Sequence, residues 1–267
     1  VEIPSPTGGD TWLSCRLIPY GPEQTLLLIR DISQRVKIER VRRDFVANAS
    51  HELRTPLTVI MGYLDTLADD PGKPPIWAQP VQIMQEQAQR MFRLVEDLLQ
   101  LSRLESGQSV ARDRVVSIAG LIELARRDAQ SSPGFGGPIE VQVNSDVNIL
   151  GEETELQSVV SNLVANAVRY TPAEGRITIS WNVDEDGGHL AVVDTGIGIS
   201  EADIPRVTER FYRADGGRAR QSGGTGLGLS IVKYALRRHD ADLEIRSRLG
   251  HGSSFVCHFP RDRLTPS

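Results

Sequence analysis

At 267 residues the chain is long enough for more than one domain with a core of its own. Its 30 basic and 35 acidic residues leave a formal net charge of -5, which excludes the electrostatic footprint of a nucleic-acid binder. Two distant cysteines, Cys15 and Cys257, exclude a disulfide scaffold and a cysteine metal cluster, and no apolar run approaches the ~20 residues needed to cross a bilayer. The chain opens on Val1 without a basic-then-apolar segment, so the expectation is a soluble fragment, suited to a reducing cytosol, whose natural start lies upstream.

Residues 1–33 read as strand and turn. Trp12 to Ile18 alternates, Thr25 to Ile29 is a buried-strand run, and Pro19-Tyr20-Gly21-Pro22 turns between them. Asp31 or Ser33 can then cap a helix running to about Asp69, with Pro56 inside it predicted to bend it. Two stripes share this helix. His51, Thr55 and Thr58 fall on one face, while Leu53, Leu57, Ile60, Leu64 and Leu67 make a heptad seam. An isolated histidine on such a face would ordinarily be a solvated side chain. The run Asp69-Asp70-Pro71-Gly72-Lys73-Pro74-Pro75 breaks the helix, and a second one starts near Pro80 and ends near Ser106-Gly107. It carries Met84, Ala88, Met91, Val95, Leu98 and Leu101 on one side. A single helical hairpin cannot bury both seams, so two-fold pairing into an antiparallel four-helix bundle, a homodimer, is expected.

From about residue 110 helices and strands mix. Ile118 to Ala129 is predicted helical, Ser131 to Pro138 a loop and Ile139 to Val143 a strand. Leu156 to Tyr170 is a helix with Val159, Val160, Leu163, Val164 and Ala167 on its apolar face. Strands Arg176 to Val183 and His189 to Val193 flank the turn Asp186-Gly187-Gly188. A glycine-rich stretch leads into helix Leu229 to Arg238, followed by strands near Leu243–Ile245 and Ser254–Phe259. The pattern is an α+β sandwich, a mixed sheet with helices on one face. No Gly-x-x-x-x-Gly-Lys-[Ser/Thr] segment occurs, which excludes a P-loop enzyme.

The segment Ser50-His51-Glu52-Leu53-Arg54-Thr55-Pro56-Leu57 resembles the phosphoacceptor box of the sensor histidine kinases of two-component systems. The longer run Asp44-Phe45-Val46-Ala47-Asn48-Ala49, continued through Leu57 to Leu64, resembles in particular the phosphate-regulon sensor kinases and implies phosphate-starvation signalling. Four downstream segments resemble the ATP-binding domain of the same family, related to the Hsp90, gyrase and mismatch-repair ATPases. Asn162-Leu163-Val164-Ala165-Asn166-Ala167-Val168-Arg169-Tyr170 is similar to its N box, and Asp194-Thr195-Gly196-Ile197-Gly198-Ile199 to its adenine-binding turn. Arg210-Phe211-Tyr212-Arg213 is similar to its F box, and Gly223-Gly224-Thr225-Gly226-Leu227-Gly228-Leu229 to its glycine-rich loop.

The resemblance implies an α plus α/β multidomain chain: the end of a PAS-like β domain at 1–33, a dimerisation and histidine-phosphotransfer hairpin at 34–106, and a GHKL-type (Bergerat-fold) ATP-binding domain at 107–267. It implies an ATP-dependent protein-histidine kinase in which His51 attacks through Nε2 while Glu52 holds or removes the proton on the other ring nitrogen. Neutral imidazole is available because an unperturbed histidine titrates near ~6.5. Asn166 is then the Mg2+ ligand with Asn162 assisting, since an amide oxygen is a suitable hard donor. Arg169 meets phosphate, an arginine where the family often has lysine, and Tyr170 flanks the nucleoside. A buried Asp194 carboxylate can accept the exocyclic amine of adenine and reject the guanine oxygen. Gly196, Gly198 and Ile199 let the backbone approach the ring, and Arg213 reaches the γ-phosphate. The amides of Gly224, Thr225, Gly226, Leu227 and Gly228 receive phosphate charge at a helix start. The polar span between Ile199 and Gly223 is expected to form a lid over the nucleotide. A response-regulator receiver domain would accept the phosphoryl group, and Thr55 would position water for dephosphorylating it. The expected setting is a cytoplasmic fragment, itself without membrane contact, of a parent anchored in the bacterial inner membrane.

Overall fold

The computed structural model describes residues 2–5, 11–20, 24–105, 114–131, 135–214 and 224–265, and of residues 39–48, 50 and 51 the backbone alone. Outside the described residues lie the predicted turn tip at Gly21-Pro22, the helix end at Ser106-Gly107, loop residues 132–134 and the lid span 215–223. The chain divides into two compact units, Val1–Leu53 and Arg54–Ser267.

The first unit is an antiparallel meander of β1 (Glu2–Pro4), β2 (Trp12–Pro19) and β3 (Thr25–Asp31), leading into helix α1 (Ser33–Asp69). Strand β1, too short to carry a periodic signal, pairs Ile3 with Leu13, and β2 pairs Leu17 with Leu27. At the strand-to-helix junction the Asp31 carboxylate accepts the Ser33 N–H at 2.8 Å, while Ser33 Oγ accepts the Trp12 N–H at 2.9 Å. Asp31 thus satisfies a helix-start donor, and Ser33 ties the helix back to the sheet.

In the second unit, α1 continues through Pro56 and turns at Asp70 into a short 3-10 segment (Pro75–Trp77) and α2 (Ala78–Leu104). Arg54 donates to Glu96 at 2.7 Å, and Gln85 donates to Asp65 at 2.8 Å, so the helices run antiparallel. Each apolar seam splits into two columns. Leu57 and Leu64 of α1 and Val81, Ala88 and Val95 of α2 are buried, while Ile60, Leu67, Met84 and Met91 remain exposed. Residues seven apart recur on one side of a helix, which is why the sorting follows heptads. Val81, absent from the predicted seam, is chosen over Met84.

The rest of the unit is a five-stranded mixed sheet of order β5-β7-β8-β10-β9. Its strands are β5 (Ile139–Val143), β7 (Ile177–Val183), β8 (Gly188–Asp194), β9 (Asp242–Arg248) and β10 (Gly252–Phe259). Helices α3 (Ile118–Gln130), α4 (Glu153–Tyr170) and α5 (Gly228–Arg238) supply its apolar cover, and β4 (Val115–Val116) pairs with β6 (Ile149–Leu150) at one edge. Only β5 and β7 are parallel, and the chain between them passes through α4, as a parallel connection requires. Alternation turns Ile177, Ile179, Trp181, Leu190, Val192, Phe255, Cys257 and Phe259 inward against Val159, Val160, Leu163 and Val164 of α4 and Ile231 and Leu236 of α5. Fully burying each large side chain contributes about 1.5–3 kcal/mol. The buried Trp181 indole donates to the Val147 carbonyl at 2.9 Å. This packing brings together the last turn of α4, the last residue of β8 and the first residues of α5.

Candidate active site

A cavity of about 420 Å³ opens where those three ends meet, well within the size of small-molecule sites. Asn162, Asn166, Arg169 and Tyr170 reach it from α4, and Asp194, Gly198 and Ile199 from the end of β8 and the turn that follows. Arg213, Gly224, Thr225, Gly226 and Gly228 complete its wall. Four segments far apart in sequence thus line one space. Gly196 lies behind it, donating its N–H to Asp194 Oδ1 at 2.8 Å. Leu227 turns its side chain into the core and is fully buried.

Asp194 ends β8 in a buried position, and burial pushes its carboxyl above the usual range against the Gly196 and Ser253 N–H groups that bond it. The turn beyond it needs glycine at 198, where φ is +68° and a Cβ would lie 2.1 Å from the Arg248 carbonyl. Ile199 N–H is held by Ser247 Oγ at 2.8 Å.

On α4, Asn162 donates its amide nitrogen to the Ser158 carbonyl and hydroxyl at 2.9 and 3.1 Å. That fixes the amide and leaves Oδ1 directed at the start of α5, where a Cβ on Gly228 would lie 2.6 Å from it. Asn166 Oδ1 accepts from Arg169 at 3.4 Å. Burial lowers the pKa of the Arg169 guanidinium, and the nearby Arg93 and Arg213 lower it further. Three guanidinium groups thus lie near one another, with the Asp97 carboxylate offsetting part of their charge, a setting suited to a polyanion. Arg213 Nη2 is buried and has no acceptor among the described residues. A buried donor left so is costly unless a ligand supplies the oxygen.

The F-box and glycine-rich segments are stitched together: Phe211, in a left-handed conformation at φ +60°, donates its N–H to the Gly226 carbonyl at 2.9 Å. Two residues from α2 enter the cavity without having been anticipated, Arg93 and Asp97. Asp97 accepts the Thr225 hydroxyl at 2.6 Å, and burial raises its carboxyl pKa. Their i, i+4 spacing of opposite charges was visible, but it reads equally as a solvated helix pair. Of the phosphoacceptor box, Glu52 and Thr55 are exposed on α1, and the His51 side chain lies outside the described residues, as do Gly223 and the side chains of residues 44–48.

A mixed sheet with one helical layer, joined to a helical hairpin and holding this cavity between α4 and α5, defines a class. The chain belongs to the sensor histidine kinases. The family described as His Kinase A (phospho-acceptor) domain matches residues 41–107, and the histidine kinase-, DNA gyrase B- and HSP90-like ATPase family matches residues 151–263. Among curated relatives, the phosphate regulon sensor protein PhoR of Pseudomonas aeruginosa is 49% identical over 97% of this chain and 59% of its own length. PhoR of Haemophilus influenzae is 38% identical over 91% of this chain and 57% of its own. The chain therefore spans about three-fifths of the length of these relatives. Among solved structures, full-length ShkA in complex with AMPPNP superposes with a TM-score of 0.67 at 26% identity, covering 84% of this chain and 46% of that one. Among the described residues no helix is long and apolar enough to cross a membrane.

Proposed function

We propose that this chain is the catalytic core of a phosphate-regulon sensor kinase, transferring the γ-phosphoryl group of ATP to His51 and then to an aspartate of a response regulator. The observation that carries the reading is the buried Arg213 nitrogen, without an acceptor among the described residues, in a cavity that the Asp194 carboxylate also lines. Asp194 can accept a purine amine and Arg213 can donate to a phosphate oxygen, the two demands that one nucleotide makes of its site. Phosphoryl transfer asks little of the protein beyond alignment and charge stabilisation. Arg169, Arg213 and the amides from Gly224 to Gly228 offset the charge on the phosphates. Asn166, with Asn162, offers amide oxygens that would hold Mg2+, which keeps its other positions for phosphate and water. That ion would supply charge neutralisation between phosphates.

His51 provides the imidazole lone pair, with Nε2 as the attacking atom, and Glu52 takes the proton of the other ring nitrogen. Thr55, one turn further along α1 and exposed, places a hydroxyl to position water for hydrolysis of the phosphorylated regulator, releasing inorganic phosphate. The divided apolar columns of the hairpin support a homodimeric four-helix bundle. The division into a PAS-like end at 1–33, the hairpin at 34–106 and the ATP-binding domain at 107–267 belongs to the same reading. The setting proposed is the cytoplasmic side of a bacterial inner membrane, with the membrane anchor outside this chain.

Incubation with γ-labelled ATP tests it. The native chain is expected to take up label stable to base and labile to acid, and His51→Ala to take up none while binding nucleotide normally. Label persisting in His51→Ala would place the acceptor elsewhere.

A further inference from the structure

At the far end of the sheet from the nucleotide cavity, His189 of β8 stands directly opposite His258 of β10. Both side chains project from the sheet face turned away from the helices, since Leu190 and Cys257 beside them point inward. His189 stands five positions before Asp194 along β8, about 17 Å of strand. The two rings lie 5.0 Å apart at 71°, and their Nδ1 atoms face each other at 2.9 Å. Each ring is held from behind. His189 Nε2 lies 2.9 Å from Asp184 Oδ1, and His258 Nε2 lies 3.2 Å from Glu244 Oε2.

Counting protons decides what the gap between the Nδ1 atoms needs. Ionised carboxylates only accept, so both Nε2 atoms must carry hydrogen and donate. A neutral imidazole has a single ring proton, so both Nδ1 atoms then present lone pairs to the gap they share, which a proton or a metal cation can bridge. A cation bound by both completes the arrangement. A carboxylate on the remote nitrogen is also what fixes the tautomer of metal-ligating histidines and raises their basicity. With metal–nitrogen bonds of ~2.0–2.1 Å, donors at this separation subtend about 90° at the ion, the angle of tetragonal rather than tetrahedral coordination.

We propose that His189 and His258 form a cross-strand chelate for a borderline divalent cation of tetragonal preference, Ni2+ or Cu2+. His189 is 19% and His258 38% exposed, so the ion enters from solvent. Among the described residues no group of three or more His, Cys, Asp or Glu forms a metal site, so water fills the remaining positions here.

The experiment is calorimetric titration of the tag-free full chain with Ni2+ at neutral pH, with ATP binding measured in parallel. One saturable site per chain is expected, lost in both His189→Gln and His258→Gln. In Asp184→Asn, which keeps both nitrogen donors, the site should weaken about tenfold. ATP affinity should stay unchanged in all three, showing that the sheet is intact. Absence of saturable binding to the native chain would overturn the chelate and leave the two rings bridged by a shared proton. Binding that survives either histidine substitution, or that is undiminished in Asp184→Asn, would overturn it as well.

Discussion

Arg213 carries an unusual burden for an arginine next to solvent. Its Nη2 is shielded and has no acceptor among the described residues, and its charge adds to that of Arg93 at the Arg169 guanidinium. Such a group is at ease only when an anion arrives. Arg213→Ala should weaken ATP binding by about 1.5–3 kcal/mol, roughly ten- to a hundredfold, while adenosine, which has no phosphate, binds as before. Isothermal titration with both ligands separates the two effects. A matched loss for adenosine would mean the arginine supports the base end instead. At this scale the sequence is legible for position where chemistry is concentrated in a motif. Asn162, Asn166, Asp194 and Arg213 all reach the cavity. It was read poorly where a residue borrows its importance from a neighbour, as Asp97 does from Thr225.

Elements were legible in proportion to their periodicity. Strand β5 spans the residues expected of it, and α3, α4 and α5 lie within three residues of their predicted ends, because long amphipathic faces leave a strong pattern. The pair β4 and β6 was not anticipated, since two residues carry no alternation. Nor was the role of His239. This ring closes α5 onto the entry to α4: it is fully buried, Nδ1–H donates to the Ala235 carbonyl at 2.8 Å, and Nε2 accepts the Glu152 N–H at 3.1 Å. The bond to Nε2 requires the neutral form, and burial lowers the ring's pKa below the usual histidine value. The unfolded chain therefore takes up this proton more readily than the folded one. Stability is fully present above about pH 6.5 and falls as pH drops from there through the folded pKa, by at most about 1.4 kcal/mol per pH unit from this group. Urea midpoints measured across that window should decline in the native chain and decline less steeply in His239→Gln. Parallel slopes would assign the acid sensitivity to another group.

For the whole molecule, the split apolar columns of the hairpin are the informative feature. Leu57 and Leu64 are already covered, whereas Ile60, Leu67, Met84 and Met91 lie open in a single chain. An exposed stripe of that length on two antiparallel helices is the surface on which the proposed second copy would pack. Ile60→Glu should leave the chain folded and shift it from dimer to monomer in sedimentation velocity. A dimer of native strength in that variant would move the interface off this stripe. The heptad was plain in the sequence, but which half of it would be satisfied within one chain depends on the rotation of the two helices about each other, and periodicity alone does not fix that.

The bond from the Thr225 hydroxyl to Asp97 has one more consequence. A helix of the hairpin places an anionic group in the loop where triphosphate is expected, so fuel and stalk compete for the same seat. A nucleotide settling there would have to displace the carboxylate or meet its repulsion, and α2 would be gripped less firmly as a result. Amide hydrogen exchange along Arg93–Leu101 should accelerate when a non-hydrolysable nucleotide is added, making occupancy of the cavity readable from the hairpin.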